Sequence, residues 1–201
     1  MKVGLILECG SQGPDEQVYR HLAHRLGLDI ELACVPLVNK RRLVLECGRA
    51  VVDLLRDGCE RVVIVWDLYP PWAQPGETHC RGRDREEILG TLHRTGVASS
   101  SVYLVCIEKE LEAWLLSDAR ALRAVLSTRS RQARVSAQRR PEHIGNPKAA
   151  LCRLFQQNGR GLYNGTVHAI KIVKAMPDLN HLRRCPSFVR FAEKLTGRQL
   201  K

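Results

Sequence analysis

Four short apolar runs recur along the first part of the chain, separated by polar or glycine-containing segments. The runs are Val3 to Leu7, Ile30 to Val35, Arg61 to Trp66 and Val102 to Ile107. They are continuous rather than alternating, which is typical of strands buried on both faces of a parallel sheet. The pattern therefore predicts four buried strands.

Helical periodicity fills the intervals between these runs. Predicted helices cover Pro14 to about Leu26 with a stop at Gly27, Leu43 to Arg56 with a stop at Gly58, Asp84 to Thr95, and Glu108 to Leu116. A long loop over 68–83 is predicted from Pro70, Pro71, Pro75 and Gly76. Strands alternating with helices predict an α/β fold with a mostly parallel, four-stranded, Rossmann-like sheet and right-handed crossovers.

The remainder of the chain has a different pattern. Residues 119–201 have helical periodicity around a basic loop at Ser127 to Asn146, and Val167 to Val173 is compatible with a helix or a strand. We therefore expect an α/β domain over 1–118 and a basic helical part over 119–201 that packs on it.

Composition narrows the class of protein. Hydrophobic residues make up 44% of the chain, yet no apolar run approaches the ~20 residues that cross a bilayer. The eight cysteines are scattered without the spacing of zinc ligands, so we expect free thiols in a reducing compartment. The chain is predicted to be cytoplasmic, with no membrane segment.

The net charge of +11 has an uneven distribution. Residues 120–174 contain twelve Lys and Arg and one acid, whereas the rest of the chain contains twenty of each sign. Such a segment is expected of a face that binds a polyanion, DNA or RNA, although a merely solubilising surface has the same composition. The candidate nucleic-acid-binding residues are Arg131, Arg134, Arg139, Arg140 and Lys148.

Acidic residues follow three of the four predicted strands: Glu8, Asp67 and Glu108. Ligands of open α/β sheets bind beyond the carboxyl ends of the strands, and clustered carboxylates there favour Mg²⁺. Each acid also has a structural alternative: a position facing a helix N-terminus for Glu8, and a turn for Asp67. Glu110 and Glu112 follow Glu108, and in a helix from residue 108 the first and last share a face while Glu110 points away.

Several motifs resemble those of the Toprim superfamily. Glu8 after an apolar strand, followed by Gly10 and Asp15, resembles its glutamate motif, and Asp67 resembles the first acid of its aspartate motif. Within that superfamily the chain is most similar to short bacterial Toprim-like proteins. The segments that carry this likeness are WDLYPPW at 66–72, ELEAWLLSD at 110–118, NPK at 146–148, YNGTVHAI at 163–170 and CPSFVRF at 185–191.

The resemblance implies roles for particular residues. Glu8 would act as general acid/base or metal ligand, Asp67 as metal ligand, and Glu112 as the acid that completes a catalytic site for Mg²⁺ or Mn²⁺. Glu108 is a further candidate metal ligand. The superfamily motif is Asp-x-Asp, whereas this chain has Tyr69 at the third position, and a phenol with a pKa near ~10 does not replace a carboxylate.

Three functions are compatible with these features. The first is a Mg²⁺-dependent Toprim-type nuclease or related phosphoryl-transfer protein that acts on nucleic acid. The second is a non-catalytic Toprim-like subunit that binds nucleic acid or works beside an ATPase partner, which Tyr69 favours. The third is an enzyme of small phosphorylated metabolites. Tyr163 is a candidate base-stacking residue and His168 a candidate polar group.

Overall fold

The computed structural model describes residues 1–26, 30–69, 80–97 and 99–200. Its sheet contains the strands β1 (Lys2–Leu7), β2 (Glu31–Pro36), β3 (Arg61–Asp67) and β4 (Val102–Ile107). The strands are parallel in the order β2-β1-β3-β4. The predicted α/β fold with a four-stranded parallel sheet is therefore confirmed.

The helices of the first part are α1 (Pro14–Arg25), α2 (Lys40–Arg56), α3 (Arg81–Arg94) and the short α4 (Glu112–Leu115). Those of the second part are α5 (Ala119–Leu126), α6 (Pro147–Gln157), α7 (Gly165–Lys174) and α8 (Pro186–Thr196). Residues 127–146 contain a 3₁₀ turn at Pro141–His143 in an otherwise irregular path. The ambiguous segment at Val167 to Val173 is helical, because it lies within α7.

Helices cover the sheet on both faces. Alternate strand residues such as Leu5, Val63 and Val105 enter a core formed with α1 and the C-terminal helices. Their neighbours, such as Ile64 and Cys106, enter a second core with α2 and α3. The continuous apolar runs thus reflect burial on both faces, as a parallel sheet requires.

The helical C-terminal part packs directly on the sheet. Its helix α8 lies against β4 and its helix α7 lies against α1. A buried hydrogen bond from Nε1 of Trp114 to Oγ of Ser187, 2.8 Å long, joins the two parts. Within the described residues, no helix has the length and apolar character needed to cross a membrane.

The strand order creates a point where the chain changes direction. From β1 the chain crosses to β2 on one side, and it then returns to β3 on the other side of β1. The crossover helices α1 and α2 therefore cover opposite faces and leave a crevice between the carboxyl ends of β1 and β3. Ligands of open α/β sheets bind at such a crevice.

Three predicted helix starts are wrong, and one of them is that of α2, which begins at Lys40 rather than about Leu43. No helix begins at Glu108, because Lys109 has a left-handed backbone with φ of 73° that turns the chain sharply, and α4 begins only at Glu112. Helix α3 begins at Arg81 rather than Asp84. The predicted stop at Gly27 and most of the predicted loop, with Pro70, Pro71, Pro75 and Gly76, lie outside the described residues.

Candidate active site at the carboxyl edge of the sheet

Glu8 and Asp67 mark the ends of two neighbouring strands. Glu8 directly follows β1 and Asp67 is the last residue of β3, and the register pairs Leu7 with Val65. Adjacent strands lie about 4.8 Å apart, so the two carboxylates occupy the same crevice. The predicted placement of Glu8, Asp67 and Glu108 at one edge of the sheet is confirmed, because all three follow parallel strands.

The Glu8 carboxylate is held in a desolvated position. Burial raises its pKa to about 8, while the Lys40 ammonium and a hydrogen bond from the Asp67 backbone oppose the rise. Its Oε2 atom is buried and has no hydrogen-bond partner among the described residues. A carboxyl with this pKa exchanges its proton near neutral pH, which general acid/base chemistry requires.

Lys40 is anchored on the α2 and α3 side of the same crevice. Its Nζ donates to the Leu68 carbonyl oxygen at 3.3 Å and lies 3.4 Å from Oδ2 of Asp84. The indole of Trp66 donates to the same Asp84 oxygen at 3.1 Å. This buried network fixes a positive charge beside Glu8.

Asp67 is a second acid of the crevice with a raised pKa. Burial is the main cause that raises its pKa well above the ordinary value, and the charge of Glu8 adds to it. Weaker contributions come from Asp15, Glu112 and Glu110. Oδ1 of Asp67 is buried and lacks a hydrogen-bond partner in the described part of the chain.

Three further acids complete the cluster. Asp15 lies in the first turn of α1, Glu112 begins α4, and Glu110 precedes it. Burial raises the pKa of Glu112 to about 7, and Glu110 contributes to the rise. The pKa of Asp15 is also raised, mainly by burial. We call Glu8, Asp15, Asp67, Glu110 and Glu112 the acidic cluster.

The predicted orientation of Glu110 is wrong. Because the chain turns at Lys109, Glu110 does not point away from Glu112 but faces the start of α6. Its Oε1 accepts a hydrogen bond from the backbone N–H of Lys148 at 2.7 Å. This contact brings the C-terminal part to the acidic cluster.

Lys148 lies near these acids, as its candidate role requires. Its charge lowers the pKa of Asp15 and Glu112, and its side chain is exposed. Helix α6 begins with Pro147 after the cap Asn146, so its positive dipole end faces the cluster, while its first N–H groups are already bonded to Glu110 and Asn146. A cation and a helix N-terminus therefore border the acids.

Two buried tyrosines close the cluster from the helical side. The Tyr163 side chain is 6% exposed, and its ring packs on Phe155 and His168 with centroids 5.5 and 6.0 Å away. The suggested role of Tyr163 in base stacking is wrong, because its ring is not accessible. Burial and the nearby Glu112 raise its pKa. Tyr19 is equally buried, and its pKa is raised by burial and by Asp67.

His168 has a structural partner. Its Nδ1 accepts the backbone N–H of Asn164 at 2.9 Å, and its ring packs 4.6 Å from that of Phe155. These contacts position the start of α7 rather than the acids. Asp118 is the N-cap of α5, because its Oδ1 accepts from the N–H groups of Arg120 and Ala121.

Glu108 lies at the same edge but is already compensated. Its Oε1 accepts from Arg81 at 2.7 Å and from Arg190 at 3.2 Å. Unlike Glu8 and Asp67, it carries two cationic partners. The structure thus separates Glu108 from the acids whose charge is unbalanced.

Backbone strain concentrates around this edge. In the described residues, positive φ angles outside glycine occur at Gln12, Val38 and Lys109. Each lies in a connection that follows a strand end, after β1, β2 and β4 respectively. Strained backbone of this kind clusters at functional sites.

The four arginines of the predicted nucleic-acid interface are exposed in the irregular segment 127–140. Arg131 donates to the Gln157 carbonyl oxygen at 3.2 Å. Arg134 borders a cleft of about 260 Å³ with Arg153, and Arg139 and Arg140 directly precede the 3₁₀ turn. Of the five predicted nucleic-acid-binding residues, Lys148 is the one whose charge lowers the pKa of Asp15 and Glu112.

The donor chemistry of the cluster fits a hard divalent cation, although the side chains do not form a finished site. Within the described part of the chain, no group of three or more His, Cys, Asp or Glu is arranged to hold a metal ion. All of the available donors are carboxylates, which Mg²⁺ prefers, and two buried oxygens have no partner. Glu8, Asp67 and Glu112 are the candidate ligands for such an ion, and their side chains would have to move together to hold it.

Some residues of the site were not assigned from the sequence. Lys40 and Tyr19 were not identified, because a lysine at a helix start and an aromatic on an apolar helix face have ordinary structural explanations. Asp15 entered only through the resemblance. The signal that could have found it is its position in the first helical turn after a strand-end acid.

Comparison with known proteins identifies a family but assigns no activity. Neither the curated proteins nor the solved structures include a significant match to the chain. One family model, described as Domain of unknown function (DUF4276), matches residues 16–196. Because this match spans most of its 201 residues, the chain belongs to this family.

Proposed function

We propose that the protein is a Mg²⁺-dependent phosphoryl-transfer enzyme of the Toprim type that hydrolyses phosphodiesters in nucleic acid. The observation that carries this proposal is the pair of buried, unpartnered carboxylate oxygens on Glu8 and Asp67 at the crevice between β1 and β3. Uncompensated carboxylates in such a position favour a bound cation.

The metal would be held by Asp67, Glu8 and Glu112. When bound, Mg²⁺ would stabilise the charge of a transferring phosphoryl group and lower the pKa of a coordinated water. Without it, the raised pKa values of Glu8 and Glu112 favour proton uptake near neutral pH. Metal and proton therefore compete for the same oxygens.

Glu8 is the acid best suited to move a proton. The pKa of Glu8 is about 8, which lies near physiological pH. Both its ionised form, a general base, and its protonated form, a general acid, are therefore accessible. The fixed charge of Lys40 keeps part of the Glu8 population ionised. In this proposal Glu8 would hold the metal through one carboxylate oxygen and accept a proton from the attacking water on the other, while Asp67 and Glu112 would be metal ligands only.

The substrate would be positioned by groups at the rim of the acidic cluster. Lys148 carries an exposed ammonium beside Asp15 and Glu112, and the N-terminus of α6 faces the same point. A cation binds phosphate, and the positive dipole end of α6 adds to the attraction although its first N–H groups are already bonded. Beyond Lys148, the exposed Arg131, Arg134, Arg139 and Arg140 would contact further phosphates of the same polyanion.

A second candidate function rests on Tyr69. Its backbone N–H donates to the Lys109 carbonyl oxygen at 2.8 Å, and its ring lies 6.0 Å from the Lys109 ammonium. A tyrosine held in this way supplies no carboxylate where the Toprim motif has its second aspartate. The alternative is a non-catalytic subunit that binds nucleic acid, alone or beside an ATPase partner.

Cleavage assays test the proposal directly. Supercoiled plasmid, single-stranded DNA and RNA are incubated with the protein in Mg²⁺, Mn²⁺ or EDTA. We expect cleavage with a divalent metal, and a loss of at least ~100-fold in Asp67→Asn and Glu8→Gln. Asp53→Asn, which removes an exposed acid from α2, is the matched control and should retain full activity.

The remaining outcomes separate the candidates. Oligonucleotide binding without cleavage in either metal would favour the non-catalytic subunit. Cleavage that survives in Asp67→Asn, or that persists in EDTA, would refute the metal-dependent mechanism.

A further inference from the structure

A cleft lies at the open edge of the sheet. Its positive charge is not apparent from the distribution of charge along the sequence. Strand β4 lies at the end of the strand order, so its outer side has no neighbouring strand. Helix α3 stands on one face of this edge and α8 on the other. Between them lies a cleft of about 670 Å³.

Both walls of the cleft carry cations. Arg81 and Arg85 project from α3, and Arg190 and Lys194 from α8. Each pair is spaced four residues apart, which places its members on one helix face about one turn from each other. The described lining contains no Asp or Glu. Each wall of the cleft therefore carries two cations.

The floor of the cleft follows the outer edge of β4. Leu89 of α3 is 36% exposed and Leu104 is half-buried on the α3 face, whereas Tyr103 is half-buried on the α8 face. The Lys194 ammonium and the Arg61 guanidinium each lie 5.4 Å from the centre of the Tyr103 ring, so two cations pack on this ring. Apolar surface flanked by cations suits single-stranded nucleic acid, because bases contact apolar side chains while phosphates meet charge.

The upper end of the cleft lies near the end of β3. Its upper end is spanned by Glu108, whose Oε1 joins Arg81 of one wall to Arg190 of the other. Ile107, directly before Glu108, is paired in register with Asp67. One strand spacing, about 4.8 Å, thus separates the top of the cleft from the end of β3.

We infer that this cleft binds the single-stranded part of a nucleic-acid substrate and guides it toward the acidic cluster. The inference rests on the proposed function, because it names the substrate class of the same site. A cleft of this size encloses a ligand of drug-like dimensions, which fits one or two nucleotides and not a duplex. The charge of the walls matches phosphates, and the floor matches bases.

The test uses Arg85→Ala combined with Lys194→Ala, since these two cations do not contact Glu108 in the described structure. Binding of labelled oligo(dT) is followed by fluorescence anisotropy in EDTA over a range of salt. We expect affinity to fall on the order of tenfold and the log–log salt slope to flatten by about 1.4, because each single-strand phosphate contact contributes about 0.7.

Matched measurements keep the result interpretable. Arg49→Ala combined with Arg56→Ala removes the same charge from the exposed surface of α2 and should leave both quantities unchanged. Mg²⁺ should stabilise the Arg85→Ala, Lys194→Ala protein as much as it stabilises wild type. This result would show that the fold and the acidic cluster are intact in the variant.

Four results would overturn the inference. Wild-type affinity in the Arg85→Ala, Lys194→Ala protein would place the strand elsewhere, while the proposed function would stand. Tighter binding of blunt duplex than of oligo(dT), or equal competition by poly-glutamate, would reject a single-strand site. No binding of any oligonucleotide by wild type would remove the nucleic-acid substrate from both proposals.

Discussion

Oε2 of Glu8 and Oδ1 of Asp67 are both buried at the ends of neighbouring parallel strands, and neither has a hydrogen-bond partner among the residues the structure describes. A buried carboxylate without a partner is costly, so such a pair binds a proton or a cation. Which of the two it binds depends on pH and on the metal supply. The predictions about the site follow from this competition.

Removal of the Asp67 carboxyl should stabilise the metal-free protein. We expect Asp67→Asn to raise the free energy of unfolding on the order of 1 kcal/mol at pH 8, because burial and the charge of Glu8 oppose ionisation of this carboxyl in the folded protein. The same variant should lose the stabilisation by Mg²⁺, which for wild type is about 2.7 kcal/mol when free metal is one hundred times its Kd. Calorimetry with and without Mg²⁺ measures both effects.

Asp53→Asn on α2 is the control for this experiment, and its response to Mg²⁺ should match wild type. An equal rise in melting temperature for Asp67→Asn and wild type would show that the metal binds elsewhere. Destabilisation of the metal-free Asp67→Asn protein would contradict the expectation that the Asp67 carboxyl lowers the stability of the metal-free fold.

The metal-free protein should become more stable as the pH falls from about 8 toward 5. Glu8 has a folded-state pKa of about 8, above its ordinary value of 4.5, and therefore binds a proton more tightly when folded. Such a group costs stability above its folded pKa, and this cost disappears as the pH falls toward the unfolded value. Glu112, at about 7, acts in the same direction.

The contribution of Glu8 is isolated by comparison with Glu8→Gln. The free energy of unfolding of wild type, relative to that variant, should rise on the order of 2 kcal/mol between pH 8 and pH 5. Urea unfolding at a series of pH values provides the measurement. Parallel curves for the two proteins would mean that Glu8 is not perturbed.

Many features of the fold and of the candidate site could be predicted from sequence patterns. The others could not be predicted, for physical reasons. The apolar run at Val102 to Ile107 predicts β4 with its observed limits, since burial on both faces leaves a simple signal. The orientation of Glu110 was predicted wrongly, because one left-handed residue, Lys109, replaces the first turn of a helix. Propensity and spacing contain little information about a single backbone angle that tertiary contacts impose.

Charge illustrates the same limit. A count along the chain emphasises residues 120–174 and assigns no net charge to the remainder. The cleft beside β4 nevertheless gathers Arg85 and Lys194, which are far apart in sequence, onto one surface. The fold determines which charges lie close together in space, and a count of charges along the sequence does not contain this information.

Tyr69→Asp should strengthen divalent-ion binding. Tyr69 is 38% exposed and lies two residues after Asp67, so a carboxylate there restores the Asp-x-Asp pattern without entering the core. We expect the Kd for Mn²⁺ to fall on the order of tenfold, because another charged oxygen joins the donor set. Titration calorimetry measures affinity and stoichiometry, and Tyr69→Asn controls for loss of the ring.

An unchanged Kd for Mn²⁺ in Tyr69→Asp would show that position 69 does not face the metal. Restored or increased cleavage in this variant, beside an inactive wild type, would favour the non-catalytic subunit as the natural role.

Neutralising Arg131, Arg134, Arg139 and Arg140 together should weaken oligonucleotide binding for all sequences. Phosphate contacts position a strand without reading bases, so the loss should be uniform. The salt slope should flatten by about 0.7 for each lost single-strand contact. Fluorescence anisotropy at several salt concentrations gives both values, with Arg49→Ala, Arg56→Ala as the control for lost charge. Unchanged binding would identify the basic stretch as a solubilising or partner-docking surface.

A crystal structure with Mn²⁺, at a pH above the Glu8 pKa of about 8, is the most direct test of the metal-dependent site. The account predicts an anomalous peak within coordination distance, about 2.2 Å, of carboxylate oxygens from Glu8 and Asp67, with Glu112 as a direct or water-mediated ligand. Saturating Mn²⁺ with no peak in the crevice between β1 and β3 would contradict it.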